Sequence, residues 1–389
     1  MSRPPRRFPA GFLFGSSTAA HQVEGGNTNN DWWAWEHTEG STASEPSGAA
    51  IDQWNRYPED FALLEGLGQN AHRLSLEWSR IEPAPGEFSG AAIAHYRGVL
   101  ESLAENGLTA FVTLHHFTNP LWFAERGGWL ASDAVERFTR YCERVSRELG
   151  ELMPWTCTIN EPQIVALFGY LTGYHPPGLQ DAEAWQRVTQ TLIEAHRAVV
   201  DLFPRAGLCL QMPDLQGDEE LRSTAQREMI DVFLDDLPGA FAGVQYYTRM
   251  VLDPGAPGLV ADPPDDVRTT QMGWEIHPEG LLKALRSAAR AGLPLVVTEN
   301  GIATSDDSER IDYLESHLAS VLEALSEGID VRGYMYWSSF DNFEWAEGYR
   351  PQFGLVGIDR ADDLRREVRP SAHAFGRVAR TGRLEALRG

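Results

Sequence analysis

Lysine is almost absent from this sequence, cysteine is scarce and no long apolar run occurs; each shortage removes a class of function. Lys283 is the one lysine, so Schiff-base chemistry has a single candidate. Cys142, Cys157 and Cys209 are the three cysteines, with no Cys-x-x-Cys spacing. An odd count so arranged predicts reduced thiols and neither a disulfide framework nor a zinc site. No metal or cofactor is expected. No stretch approaches the roughly 18 apolar residues of a transmembrane helix. The opening MSRPPRRFPAGFLFGSS holds no apolar run of the roughly 7–15 residues that a secretory leader uses. The expected compartment is the cytoplasm. Positive charge is also short: 33 Lys and Arg face 56 Asp and Glu, a formal net charge of −23. Nucleic acids and anionic membranes bind through Lys and Arg, so neither is an expected partner. Nothing in the composition sets an oligomeric state.

What the 389 residues do contain is a regular alternation. Strand-length apolar runs occupy Phe12–Thr18, Ala71–Trp78, Thr109–Phe117, Pro154–Asn160, Ala206–Met212, Phe241–Thr248, Leu295–Asn300 and Arg332–Phe340. Several are near-continuous, as strands buried on both faces should be. Helical patterns lie between them, including Asp133–Leu149 and Asp181–Phe203. In the first, Val135, Phe138, Cys142, Val145 and Leu149 make one apolar stripe at spacings of three and four. Asp133 is placed to cap its start and Gly150 to follow its end. Eight strand-then-helix units predict an α/β fold, a closed (β/α)8 TIM barrel. No linker or change of composition divides residues 1–389, so one domain is expected.

In such barrels the chemistry sits at the C-terminal ends of the strands. There the sequence places Arg73 and Glu77 on the second strand, His115-His116 on the third, Asn160-Glu161 on the fourth and Glu299-Asn300 on the seventh. Consecutive strand residues face opposite ways, so the two histidines should not both reach the centre, which argues against a metal pair. Glu161 and Glu299 end two apolar strands of one ring. Two carboxyls across a cleft are what glycoside hydrolysis needs: one protonated to serve the leaving oxygen, the other ionised. A gap of about 5–5.5 Å permits direct attack with retention, and about 6.5–9.5 Å admits a water with inversion.

Five separated segments then carry a specific resemblance. They are Phe8-Pro9 with Phe12–Gly15 and Thr18–Gly25; Thr113-Leu114-His115-His116-Phe117; Thr158-Ile159-Asn160-Glu161-Pro162; Thr298-Glu299-Asn300-Gly301; and Trp337-Ser338 with Asp341–Tyr349 and Phe353-Gly354. Together and in this order they resemble glycoside hydrolase family 1, the β-glucosidase family, nearly end to end. The resemblance implies a retaining β-glycosidase, with Glu161 as acid and then base and Glu299 as nucleophile. Arg73 and Tyr247 are implied as the groups that hold Glu299 ionised and aimed. Gln22, His116, Asn160 and Glu344 match positions that bond the sugar, Asn160 at its 2-hydroxyl. Trp337 is implied as a stacking floor and Trp345 as an indole donor, and Phe353 falls within the last matching segment as a further substrate-binding position. Glu344 would repel a 6-phosphate, so unphosphorylated β-D-glucosides are the expected small-molecule partners, with galactosides or fucosides as companions. Transglycosylation through the same intermediate is the alternative, and a non-catalytic carbohydrate-binding barrel is a more distant one.

The chain also departs from the family pattern. Gln245 stands where relatives carry Asn, which would misplace its amide by a methylene, and Phe117 stands where they carry Trp. His21 and His115 occupy aromatic positions. The chain is several dozen residues shorter, chiefly between Glu161 and Gln245, that is, between strands four and six. A trimmed wall and a more open aglycone region are expected there.

Overall fold

The computed structural model describes residues 7–389; the first six, part of the stretch read above for a leader, lie outside the described residues. Eight strands close a barrel: β1 (Leu13–Ser17), β2 (Ala71–Ser75), β3 (Thr109–His115), β4 (Trp155–Asn160), β5 (Ala206–Gln211), β6 (Phe241–Gln245), β7 (Leu295–Asn300) and β8 (Val331–Trp337). Each pairs in parallel with its sequence neighbours, and β8 closes on β1. A helix follows every strand: Gln53–Gly66, Gly90–Glu105, Ala134–Leu149, Ala182–Val199, a run opening at Glu219–Ala225, Glu279–Ala288, Asp307–Ser326 and Pro370–Thr381. The architecture is the expected (β/α)8 TIM barrel. No described helix is long and apolar enough to cross a membrane.

The helix Ala134–Leu149 buries Phe138, Cys142, Val145 and Leu149 as its stripe requires. Its ends differ from expectation. Asp133 makes no capping bond; it pairs with Arg137 at 2.8 Å, so the carboxylate is drawn to a charge one turn on. Gly150 stays right-handed and leads into a 3-10 turn instead of a left-handed stop. At Asp181 the cap does form, on the backbone N–H groups of Glu183 and Ala184.

Inside the barrel, Ala71, Phe111, Trp155, Cys157, Cys209, Phe241, Val296 and Met335 form a packed plug. Counting by twos from it carries β2 to Arg73, β6 to Gln245 and β8 to Trp337. The same count on β4 and β7 reaches Ile159 and Thr298, not the polar motifs. Two irregularities correct it. Cys157 pairs with Gly207 but Asn160 pairs with Cys209, so β4 spends one residue more than β5. Likewise Val297 pairs with Val244 but Glu299 with Gln245, an extra residue on β7. Such bulges re-aim side chains next to functional sites, and here they turn Asn160 and Glu299 into the barrel mouth.

Between β5 and β6 the chain forms a short strand, Asp214–Gly217, parallel to Arg249–Leu252, before its helix. Asp214 is anchored by Lys283 at 2.7 Å and His277 at 3.1 Å.

The ends of β7 and β8 approach closely at Gly301, where a Cβ would lie 1.7 Å from the carbonyl oxygen of Trp337. Gly301→Ala should therefore lower stability by about 1–3 kcal/mol, the usual cost of forced overpacking. A fall in the thermal unfolding midpoint, with reduced turnover as Trp337 is displaced, is the expected outcome.

Candidate active site

The residues just past the strand ends build the site. Asn160 closes β4, and Glu161 follows in a left-handed conformation (φ 41°) before Pro162 opens a short helix. Its amide donates to the Cys209 carbonyl at 2.8 Å. That turn brings two successive side chains to one mouth. Across the barrel, Glu299 is the penultimate residue of β7 and 4% exposed.

The two carboxyls have unlike surroundings. Glu299 Oε1 accepts from Arg73 Nη1 at 2.5 Å and from Gln245 Nε2 at 2.9 Å, and its Oε2 accepts from the Tyr247 hydroxyl at 2.6 Å. Glu161 Oε1 is buried with no donor among the described residues. Burial pushes both carboxyls above the ordinary carboxylate value. On Glu299 the Arg73 charge and the Tyr247 hydrogen bond oppose that rise. On Glu161 the Glu299 charge adds to it, against a smaller contribution from Arg73. The pair shares its protons, and the donors decide that the proton rests on Glu161.

Arg73 is fully buried. Its second amino group reaches Asn160 Oδ1 at 2.5 Å. The Asn160 amide nitrogen lies 3.3 Å from His116 Nε2. Burial and the nearby Arg73 charge push His116 well below its ordinary value, so the ring is neutral. Its plane is nearly parallel to Trp337 (18°, centroids 6.0 Å) and to Trp345 (14°, 6.1 Å). His115 instead packs on Trp129 and bonds Asn119 at 3.0 Å, so the histidines do face opposite ways.

Gln22 donates to the Phe343 carbonyl at 2.8 Å and leans on Glu344 Oε2 at 3.4 Å. Burial, then the Glu299 charge, push the Glu344 carboxyl up to about 8. Repulsion of a phosphate belongs to its ionised form, so in the free pocket that charge is complete only above this value. Trp345 (φ 50°) packs between Trp32 at 4.7 Å and the His21 ring, which stacks on it at 8°. Phe117 fills its place against Trp345 at 5.1 Å. Phe353, 2% exposed, packs with Trp337 and flanks Tyr247.

Three sequence-level points change here. Glu77 shares no hydrogen bond with this set; it accepts from Ser79, Thr118 and Asn27, beside Glu24, in a separate buried network. Gln245, expected to misplace its amide, reaches Glu299. Trp274, which none of the matching segments contains, is half-buried and lies 5.3 Å from Tyr247 and 6.3 Å from Phe353. A large aromatic in the polar stretch after β6 was the available signal. Among the described residues no group of three or more His, Cys, Asp or Glu could hold a metal ion.

The profile of Glycosyl hydrolase family 1 matches residues 5–211 and 242–383. The unmatched segment between them is the β5–β6 connection. Beta-glucosidase A of Thermotoga maritima is 31% identical over an alignment of 443 residues that covers 98% of this chain and 99% of the relative. A bifunctional β-D-glucosidase/β-D-fucosidase of Bifidobacterium breve is 31% identical over 90% of this chain and 94% of its own length. The β-glycosidase from Pyrococcus horikoshii superposes with a TM-score of 0.92 at 37% identity, covering 99% of this chain and 98% of that one. With its barrel closed and both acidic motifs at one mouth, the chain belongs to glycosyl hydrolase family 1.

Proposed function

We propose that this glycoside hydrolase is a retaining β-glycosidase of unphosphorylated β-D-glucosides, with Glu299 as nucleophile and Glu161 as acid and base. The carrying observation is the asymmetry of the two carboxyls: three donors converge on Glu299, while Glu161 Oε1 is buried without one. Ionised Glu299 attacks the anomeric carbon as Glu161 passes its proton to the glycosidic oxygen, and the bond to the aglycone breaks. The glycosyl ester is then cleaved by water, whose proton returns to Glu161 while Glu299 leaves as a carboxylate. Asn160 faces the 2-hydroxyl, where bonds strengthen in the transition state. The walls of Trp337 and Trp345, with Gln22, His116 and Glu344, hold the ring. Trp274, Tyr247 and Phe353 pack together beside Trp337 on one wall of the mouth.

Incubation with 2-deoxy-2-fluoro-glucosyl fluoride should trap a covalent adduct, and peptide mass mapping should find it on Glu299. An active enzyme that never labels, or one that releases the α-anomer from a β-glucoside, would overturn the retaining mechanism. Glu161→Ala should slow turnover of aryl glucosides by about 10²–10⁴-fold, and added azide should restore rate as a β-glucosyl azide.

The pH dependence has a definite sign. The Tyr247 hydroxyl stabilises ionised Glu299, so its loss raises the carboxyl's pKa, and activity then fails at a higher pH on acidification. A hydrogen bond to a charged group is worth about 1.5–3 kcal/mol. Tyr247→Phe should therefore move the acidic limb of kcat/KM upward by about one unit or more.

A further inference from the structure

Gln245 ends β6 and is fully buried. The register sets it opposite Glu299 on one side and Gln211 on the other. Its Nε2 reaches Glu299 Oε1 at 2.9 Å and Asn160 Oδ1 at 2.8 Å. Arg73 spans the same two oxygens, each at 2.5 Å. The four side chains close a ring of hydrogen bonds. Chemistry fixes the orientation of the amide: turned over, its oxygen would face a carboxylate oxygen and an amide oxygen, both acceptors. The arrangement does not serve Gln245 itself, whose own Oε1 is buried without a donor among the described residues.

The ring has a consequence for Asn160. Both lone pairs of its Oδ1 are taken, by Arg73 and by Gln245. Its amide nitrogen is thereby turned away from them, toward the side of the pocket where His116 lies. We infer that Gln245 is a positioning residue that ties the nucleophile to the reading of the sugar's 2-hydroxyl, because one amide sets both Glu299 and Asn160. The inference rests on the roles given above to Glu299 and Asn160. It makes the longer Gln at this position a specificity device: the rate of attack is to depend on a hydroxyl at C2 that accepts from Asn160.

The test uses the full chain carrying Gln245→Met, which keeps length and removes the donor, and Gln245→Asn, which keeps a donor of shorter reach. Turnover of 4-nitrophenyl β-D-glucoside and of its 2-deoxy counterpart is measured across pH, with fluoro-sugar labelling of the wild type alongside. For Q245M, kcat/KM on the glucoside should fall by about 10²-fold, the penalty of a small misplacement of reacting groups. The 2-deoxy substrate should lose about tenfold less, the worth of one hydrogen bond. The acidic limb should move to higher pH, as Glu299 loses a donor. Q245N should recover part of both effects. Equal losses on the two substrates with an unmoved acidic limb would overturn the inference while wild-type labelling of Glu299 leaves the function standing. Absence of that labelling would overturn both. Where Q245M fails to fold, the same two ratios read from Q245N decide, with intermediate changes expected and unchanged ratios fatal.

Discussion

A guanidinium withdrawn from water inside a barrel survives only if acceptors surround it, since the effective penalty for burying an ion is several kcal/mol. Arg73 is such a group. Its two terminal nitrogens end on Glu299 and Asn160, and its Nε is buried with no acceptor among the described residues. Beneath it lie the apolar plug with the thiols of Cys157 and Cys209, and the carbonyl of Thr298, 3.4 Å from Arg73 Nη1. The one carboxylate that pairs with this charge among the described residues is Glu299, on the side facing the mouth. Folding the barrel and ionising Glu299 are thus the same problem. A neutral Glu299 would leave a buried cation uncompensated, and a missing Arg73 would leave a buried carboxylate in its place.

The constraint explains why the barrel departs from regularity where it does. Strict alternation would send Ile159 and Thr298 inward and leave the acceptors of Arg73 on the helix-facing side. One added residue in β4 relative to β5, and one in β7 relative to β6, move Asn160 and Glu299 to the guanidinium. The left-handed turn at Glu161 follows the first bulge directly, so its carboxyl inherits its direction from the same distortion. Tyr247 and Trp337, on strands whose alternation is already correct or just ended, need no such device.

These facts also set what could be read without coordinates. All eight strands and the helices between them are legible, because apolar runs and stripes encode burial directly. The acids are legible because Asn-Glu-Pro and Thr-Glu-Asn-Gly end such runs. The bulges are not, since a single extra residue leaves the apolar run intact and shows only in pairing. Gln245 reaches Glu299 because the extra residue in β7 brings Glu299 opposite it. Asp133 failed as a cap because Arg137, one turn on, offers a stronger partner than an amide N–H. Glu77 sits at a strand end like the acids but turns into its own cluster with Tyr96, whose hydroxyl accepts from the Glu77 amide at 3.0 Å. The pairing of Asp214–Gly217 with Arg249–Leu252 was hidden because four-residue strands carry too little pattern.

With the roles proposed for Glu161 and Glu299, the same electrostatics order the two halves of the reaction in time. In the free site the Glu299 charge helps to hold the proton on Glu161, while Arg73 works against it. Formation of the proposed glycosyl ester would cancel the Glu299 charge and leave Arg73 where it was. The Glu299 charge that raises the Glu161 pKa would disappear while the Arg73 charge that lowers it persists, so the proposed acid would become a base as soon as it has given up its proton. The guanidinium, deprived of its formal counter-charge, is in turn best served by an ionised Glu161. Neither change requires a moving part: the switch is built from one fixed cation, bonded to Glu299 and within reach of the Glu161 charge, whose anion the two carboxyls exchange.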